Sequence, residues 1–498
     1  MDLMRLLLVG GIILSATASP RAQQVDTAWV RVTTEPSIVW THITALAIDS
    51  NQNSFIVGQA ARQIGDVFSA DIVTAKYSIG GELLWVQFYD SANESESATD
   101  ADIDQSGNVY ITGYAIDFNG TSQIITLKYS NDGELLWHRT FGPGSSDALE
   151  IDNAGNVFVT GWHYTAMMVK YSSEGDLLWS VGFQGGHPSS LVLDENSNAY
   201  STGVYVTNGN ANIQTVKVGS DGQVVWSDIY DGPFGASERG YDIALNVGGN
   251  PVVTGQSITG PNVREVITIL FDGFTGARQW VRTYNAGGLK SNLGRAVVTD
   301  LDGNIFVCGR GEIADYGEVL LALKYSLNGT LLWDRKQFGL GRGGEAFDLS
   351  IDQRGDLYVA GCAYDGTPIM QPGLVKYSSD GVYRWSKFSP SIAFKILGIN
   401  GLAVQDSTSV FILGNGTTLY KFDQSYCCNG VRGDVNLSGN VDTQDLSLLI
   451  AYLVRTDQVL LSCGDEANVS GEEKIDISDL SFMVSYLTGG LVTLPICP

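Results

Sequence analysis

Short apolar runs alternate with polar, glycine-bearing turns from residue 26 to about residue 426. In the stretch 99–141 the runs fall at 99–104, 108–112, 123–129 and 134–141. Asp-x-x-Gly-Asn separates the first pair and Asn-Asp-Gly the second. Both are tight-turn chemistry: glycine accepts positive φ, and aspartate bonds its own backbone. Runs this short, without a 3.6-residue apolar period, predict strands joined by hairpins.

The pattern repeats. Lys-Tyr-Ser-x-x-Gly-x-Leu-Leu-Trp occurs at 76–85, 128–137, 170–179 and 324–333, with looser copies at 217–226, 270–280 and 376–385. The steps between its tryptophans are 52, 42, 47, 54, 53 and 52 residues. The Asp-x-x-Gly-Asn motif alternates with it at 104–113, 152–161, 194–203, 246–255, 300–309 and 352–361, with weaker copies at 49–58 and 405–414. Four strands per period of roughly 40–50 residues is the pattern of propeller blades. The last period lacks its tryptophan, while Trp29 precedes the first period. The expected fold is therefore all-β, an eight-bladed β-propeller over 26–426 whose N-terminal strand completes the last blade and covers its edge. Seven blades is the rival closure. A tryptophan recurring in every outer strand reads as a wedge between blades, and the repeated Lys-Tyr likewise as structural.

These copies resemble the secreted bacterial β-propeller repeat family. They are also similar to the tryptophan-docking motif of eight-bladed quinoprotein dehydrogenases, which 272–280 matches as Asp-Gly-Phe-Thr-Gly-Ala-Arg-Gln-Trp. The resemblance implies a propeller and names no reaction, because one fold hosts many functions.

Alternating strand direction puts the short, uniform turns on one face and the longer, variable connections on the other. Variable loops on a rigid frame are where ligands are expected. The candidates there are Trp162, Tyr164, Arg239, Tyr241, Arg310, Asp315, Tyr316 and Tyr364, aromatic and polar groups suited to stacking on a sugar or docking a protein.

After residue 426 the blade pattern stops. The segment 434–445 reads Asp-Val-Asn-Leu-Ser-Gly-Asn-Val-Asp-Thr-Gln-Asp. Oxygen side chains stand at loop positions 1, 3, 5, 9 and 12, glycine at 6, and an apolar helical run follows; this spacing wraps oxygens around calcium. The candidate ligands are Asp434, Asn436, Ser438, Asn440 through its carbonyl, Asp442 and Asp445. Thirty-four residues later the arrangement returns with Asn468, Ser470, Glu472, Lys474 through its carbonyl, Asp476 and Asp479. Glu473 there takes the place of the turn glycine, which weakens the second loop. Two loop-helix units of this kind resemble a type I dockerin. That resemblance implies calcium as cofactor and a cohesin-like protein or surface scaffold as partner, read through Thr443, Gln444, Ile477 and Ser478. The expected module is a small α-helical domain over 427–498.

Residues 1–22 have a basic start at Arg5, an apolar run over 6–14 and small residues Ala16 and Ala18, the form of a secretory signal peptide. Export to the cell surface or medium is the expectation. Cys427, Cys428, Cys463 and Cys497 suit disulfides in that setting, in a connectivity left open. Cys308 and Cys362 read as buried thiols.

Charge enters last. The formal net charge is −25 with only four histidines. That disfavours nucleic acid, which calls for a basic footprint. No Gly-x-Ser-x-Gly elbow, His-Glu-x-x-His helix or sialidase Asp-box is present. The first reading is an exported binding propeller whose variable-loop face holds a carbohydrate or protein and whose dockerin-like tail anchors it. A polysaccharide-active or quinoprotein-type enzyme and a structural surface protein are the alternatives. Carboxylates converging from different blades could still act as a pair.

Overall fold

The computed structural model describes residues 25–32, 38–64, 67–91, 95–117, 119–207, 209–288, 290–314, 316–337, 343–364, 370–388, 399–404, 409–414, 418–424, 433, 441–454, 469 and 477–488. Among them run 32 strands, β1 to β32 in chain order, and two helices. One compact unit holds the strands and another holds the C-terminal segment from Ser425.

The strand unit is a β-propeller of antiparallel sheets. Six sheets have four strands each. A further sheet joins two four-stranded groups through a parallel bridge between Ala70 and Ser95. The N-terminal strand β1 (Val25–Val32) pairs with β32 (Thr418–Gln424), setting Trp29 opposite Lys421. Trp85 faces Lys76 and Trp137 faces Lys128 in the same way within their own groups.

The first strands of the groups are β2 (Ile38–Ile48), β6 (Ser95–Ile103), β10 (Ser145–Ile151), β14 (Pro188–Leu193), β18 (Arg239–Leu245), β22 (Leu293–Thr299), β26 (Gly344–Ile351) and β30 (Ile399–Val404). Each touches the next, and β30 touches β2, so they surround one axis. Every one carries a β-bulge at the same place, on Thr44, Thr99, Asp147, Ser189, Tyr241, Arg295, Phe347 and Asn400. A bulge adds a residue and re-aims its side chain.

Strands run further toward the long-loop end than the apolar pattern. The run expected at 108–112 is a strand over Val109–Ile116, and Ile116 pairs with Ser95. Ladder hydrogen bonds are made by backbone groups, so pairing continues where the side chains turn polar. The core is a series of wedges between neighbouring groups. In one, Tyr110, Trp137, Leu149 and Val159 pack together across two sheets. Cys308 and Cys362 are buried free thiols, and burial pushes the Cys362 thiol up to about 12.

In the C-terminal unit, α1 (Thr443–Val454) and α2 (Ile477–Leu487) pack through Leu449, Val469 and Met483, with Leu446, Leu453, Leu480 and Leu487 against them. The apolar positions of the two helices are thirty-four residues apart, as the duplicated loops require. No helix among the described residues is long and apolar enough to cross a membrane. The expected signal segment 1–22, and Cys427, Cys428, Cys463 and Cys497, lie outside the described residues.

Candidate functional site

The repeated motifs occupy the short-turn end. Asp104 Oδ1 accepts the backbone N–H of Ser106 and Asn108, and its Oδ2 accepts from Asn108 Nδ2 at 2.8 Å. The same aspartate faces Lys128 at 3.9 Å, and Lys128 lies over the Tyr110 ring. The arrangement recurs with Asp49 and Lys76, Asp152 and Lys170, Asp194 and Lys217, Asp300 and Lys324, and Asp352 and Lys376. Six outer-strand tryptophans, Trp85, Trp137, Trp179, Trp226, Trp280 and Trp333, then reach the next group. Trp137 Nε1 donates to Ser173 O at 3.0 Å, Trp226 to Gly273 O at 3.3 Å and Trp333 to Ser379 O at 3.2 Å. The stretch 272–280 belongs to this system, with Gly276 seated against Trp226 and Asp272 holding its own turn through Thr275. These residues hold neighbouring blades together, as the wedge reading expected.

The opposite end gathers the candidates for binding. Tyr164 stands at φ 58 in the hairpin closed by the His163–Thr165 pair and is 84% exposed. Tyr316, between β23 (Ile305–Ile313) and β24 (Gly317–Tyr325), is 64% exposed, and Phe234, between β17 (Val224–Tyr230) and β18, is 51% exposed. Trp162, Arg239, Tyr241, Arg310 and Tyr364 are strand residues rather than loop residues, because the ladders extend past the apolar runs. Trp162 is half-buried and stacked on His187 with ring centroids 4.4 Å apart. Arg239 is exposed at the start of β18. Arg310 pairs with Glu318 at 3.1 Å and Glu345 at 3.5 Å. Asp315 lies outside the described residues.

Tyr241 is one of the bulge residues, and the bulges form a ring that the repeat reading passed over. The Arg295 guanidinium lies over the Tyr241 ring at 5.0 Å and the Phe347 ring at 5.8 Å, and its Nε donates to Glu345 Oε1 at 2.6 Å. Three successive first strands thus supply an aromatic–cation–aromatic stack. Elsewhere on the ring, Asp147 has a buried Oδ2 without a hydrogen-bond partner, and burial pushes its carboxyl up to about 7.

Below the bulges the first strands carry further half-buried acids, Asp100, Asp102, Glu150, Asp242 and Asp348. Three of them staple neighbours. Asp100 Oδ2 accepts from Leu149 N, Asp242 Oδ2 from Val297 N and Asp348 Oδ2 from Leu402 N, each at 2.8 Å. Burial pushes Asp100 and Asp348 up to about 7 against those hydrogen bonds. Burial, then the charges of Asp102, Asp100 and Asp242, raise Glu150 well above the usual carboxylate range. These acids make an acidic ring below the bulges, with charge that depends on pH. A sequence signal for it existed: each bulge residue stands five positions before the residue that opens the Asp-x-x-Gly-Asn turn, and each stapling acid four before.

In the C-terminal unit Asp445 and Asp479 are buried in the first turns of their helices. Asp445 Oδ2 accepts from Asp442 N at 2.8 Å, and the exposed Asp442 accepts from Gln444 N at 2.6 Å. Asp434, Asn436, Ser438, Asn440, Asn468, Ser470, Glu472, Lys474 and Asp476 lie outside the described residues.

No protein-family model matches the chain, and no curated protein does. Among solved structures, Sqt1 from Chaetomium thermophilum is similar with a TM-score of 0.55 at 9% identity, over 81% of this chain and 100% of that one. The Dos1 propeller is similar with a TM-score of 0.52 at 9% identity, over 80% and 96%. The C-terminal WD40 domain of Sif2 aligns over 78% of this chain and 99% of its own at 12% identity, with a TM-score of 0.48. At such identities the likeness speaks to fold alone, that of a β-propeller.

Proposed function

We propose that this chain is an exported, eight-bladed interaction propeller that docks a protein partner on its long-loop face and is anchored through a calcium-binding, dockerin-like tail. The blade count is supported by eight first strands in closed succession and by the β1–β32 pairing. The docking reading is carried by one observation. Exposed Tyr164, Phe234 and Tyr316 sit in connections, and exposed Val206 near the end of β15 (Ala199–Thr207), at the end where the connections vary. Apolar side chains gathered beside polar rims mark association surfaces. The acidic ring and the net charge of −25 favour a partner with a basic surface. A carbohydrate ligand remains the second reading, on the Tyr241–Arg295–Phe347 stack.

The tail reading is supported by the duplicated helices and by buried Asp445 and Asp479 at loop position 12. Calcium would be held there by Asp434, Asn436, Ser438, Asn440, Asp442 and Asp445, and in the weaker loop by Asn468, Ser470, Glu472, Lys474, Asp476 and Asp479.

The test places the full mature chain, and a Tyr164→Ala/Tyr316→Ala variant, against lysozyme and histone H1 as basic proteins and against soluble and insoluble polysaccharides. Salt-sensitive retention by a basic protein, lost in the variant, is the expected result. Retention by a polysaccharide alone overturns the protein reading in favour of the glycan. Release of new sugar ends makes the propeller an enzyme.

A further inference from the structure

The short-turn end repeats one arrangement, and the seam between the first two strand groups departs from it. In the regular copies the lysine pairs with the turn aspartate of its own group and donates to a backbone carbonyl of the next. Lys128 Nζ donates to Ser173 O at 3.1 Å, Lys217 to Gly273 O at 2.8 Å and Lys324 to Ser379 O at 2.9 Å. Lys76, on β4 (Val67–Tyr77), meets a side-chain amide as well: its Nζ donates to Asn131 Oδ1. Asn131 stands in the turn between β8 (Ser122–Tyr129) and β9 (Leu135–Pro143), 55 positions along the chain. In the six other copies of the lysine-to-tryptophan motif the matching residue is Ile79, Ser173, Ser220, Gly273, Leu327 or Ser379, and none is an amide.

The surroundings hold amine and amide together. Trp85 Nε1 donates to Asn131 O at 3.0 Å, which pins the turn. Gly107 lies against the amide, since a Cβ there would be 3.0 Å from Asn131 Cγ. Lys76 is 4% exposed and lies over the Phe55 ring at 4.6 Å. Asp49, in the turn after β2 and 3% exposed, places Oδ2 at 3.2 Å from Lys76 Nζ. Tyr110, Tyr200 and Tyr358 donate a ring hydroxyl to the aspartate of their groups, and Phe55 brings none to Asp49. A buried nucleophile, a carboxylate to take its proton and an acyl group thus meet at one point.

We propose that Lys76 and Asn131 join in an isopeptide bond that ties the first two strand groups covalently, with Asp49 as proton carrier. Asp49 takes a proton from the Lys76 ammonium, and the freed Nζ lone pair attacks Asn131 Cγ. The Nζ–Cγ bond forms, and the Cγ–Nδ2 bond breaks. Nδ2 leaves as ammonia, taking up the proton that Nζ loses on acylation. The proton held by Asp49 passes to that ammonia, so ammonium departs and the carboxylate is restored. The step consumes no oxidant, reductant or further reactant. Burial raises the Asp49 carboxyl, but hydrogen bonds from Asn53 and then Lys76 outweigh it and hold the group below its ordinary value. The resting pair is therefore ionic, and the reactive form needs only a proton shift within the pair. Fixed proximity favours the attack, and loss of ammonia draws it forward. Ala70, near the other end of β4, already bridges Ser95, so the bond would fasten the seam at both ends.

The test is mass spectrometry on the full mature chain, reduced, intact and after trypsin. Wild type should weigh about 17 Da less than its sequence, the mass of one ammonia. It should yield a branched peptide joining Lys76 to Asn131, with no cleavage after Lys76. Asn131→Ser places in this turn the residue that Ser173, Ser220 and Ser379 supply in theirs, so the fold is kept. That variant should lack the loss and be cut after Lys76. A loss of ammonia elsewhere in the chain would persist in it and is thereby told apart. Asp49→Asn should link at least about a hundredfold more slowly after refolding. A wild-type protein without the branched peptide, cut normally after Lys76, overturns the proposal. Linkage at the wild-type rate in Asp49→Asn overturns the part given to Asp49.

Discussion

The two ends of the strand unit solve different problems with the same repeat. At the short-turn end a lysine, an aspartate, an aromatic ring and a tryptophan recur from group to group, and the tryptophans from Trp85 to Trp333 donate to the next turn. At the long-loop end the recurring feature is only a place, the bulge, and its residue changes from threonine to aspartate to arginine to phenylalanine. Uniform chemistry at one end holds the ring together. Variable chemistry on a fixed backbone position at the other can be changed without disturbing that ring. The difference separates residues that repeat because the fold needs them from those that vary because it does not.

The sharpest way to break this contrast is to strike the short-turn end where it is most buried. Lys376 Nζ meets Asp352 at 3.2 Å, Asp356 at 3.0 Å and the Tyr358 hydroxyl at 2.6 Å, with the Lys376 and Asp352 side chains 1% and 0% exposed. Lys376→Met leaves two carboxylates without their cation, and the expected loss is about 3–5 kcal/mol. Lys128→Met should cost less, since its Asp104 stands at 3.9 Å and keeps 15% exposure. Urea midpoints for the two variants decide it, and equal losses would mean that burial does not grade the repeats.

A smaller effect is expected at the seat of the tryptophan. Gly222 has φ +84, and a Cβ there would lie 2.8 Å from the Trp179 ring. Gly133, Gly276, Gly329 and Gly381 occupy the same seat against Trp85, Trp226, Trp280 and Trp333. Gly222→Ala combines left-handed backbone strain with a clash, at about 1–3 kcal/mol. Gly209→Ala, also at positive φ but with nothing near its Cβ, isolates the backbone part. Thermal melts that agree for both variants would remove the packing contribution.

What could be read from the chain follows the same division. Trp137, Lys128 and Asp104 announced themselves because identity repeated at a fixed period, and the strand pattern and the Trp29 pairing followed from closing that period. Asp147, Arg295 and Phe347 stand at an equally fixed offset but share no chemistry, so a search for repeated letters passes over them. Tyr241 was singled out as a loop residue and is a bulge in β18, since apolar alternation marks where side chains are buried and not where backbone pairing ends. Lys76 and Asn131 are 55 positions apart and meet only across the seam between two strand groups, a fact of topology that no local pattern carries.

The gentlest probe sits on the variable ring. Asp147 has its Oδ2 buried without a partner, and burial alone raises its carboxyl from the ordinary 3.8 to about 7. Folding therefore favours the protonated form. The stability this contributes is complete below about pH 4 and is lost as pH rises through about 7. Asp100 and Asp348 shift in the same direction for the same leading cause, but each also accepts a neighbour's N–H, so their substitution would confound charge with a lost staple. Asp147→Asn removes the charge without removing a staple. The variant should match wild type near pH 4 and exceed it by about 1 kcal/mol at pH 8, the partial exposure of the residue limiting the gain. Denaturant midpoints from pH 4 to pH 8 check this. A variant that gains nothing at pH 8 would show that the carboxylate is already ionised and solvated at neutral pH. The acidic ring would then present a constant rather than a pH-graded charge to whatever docks above it.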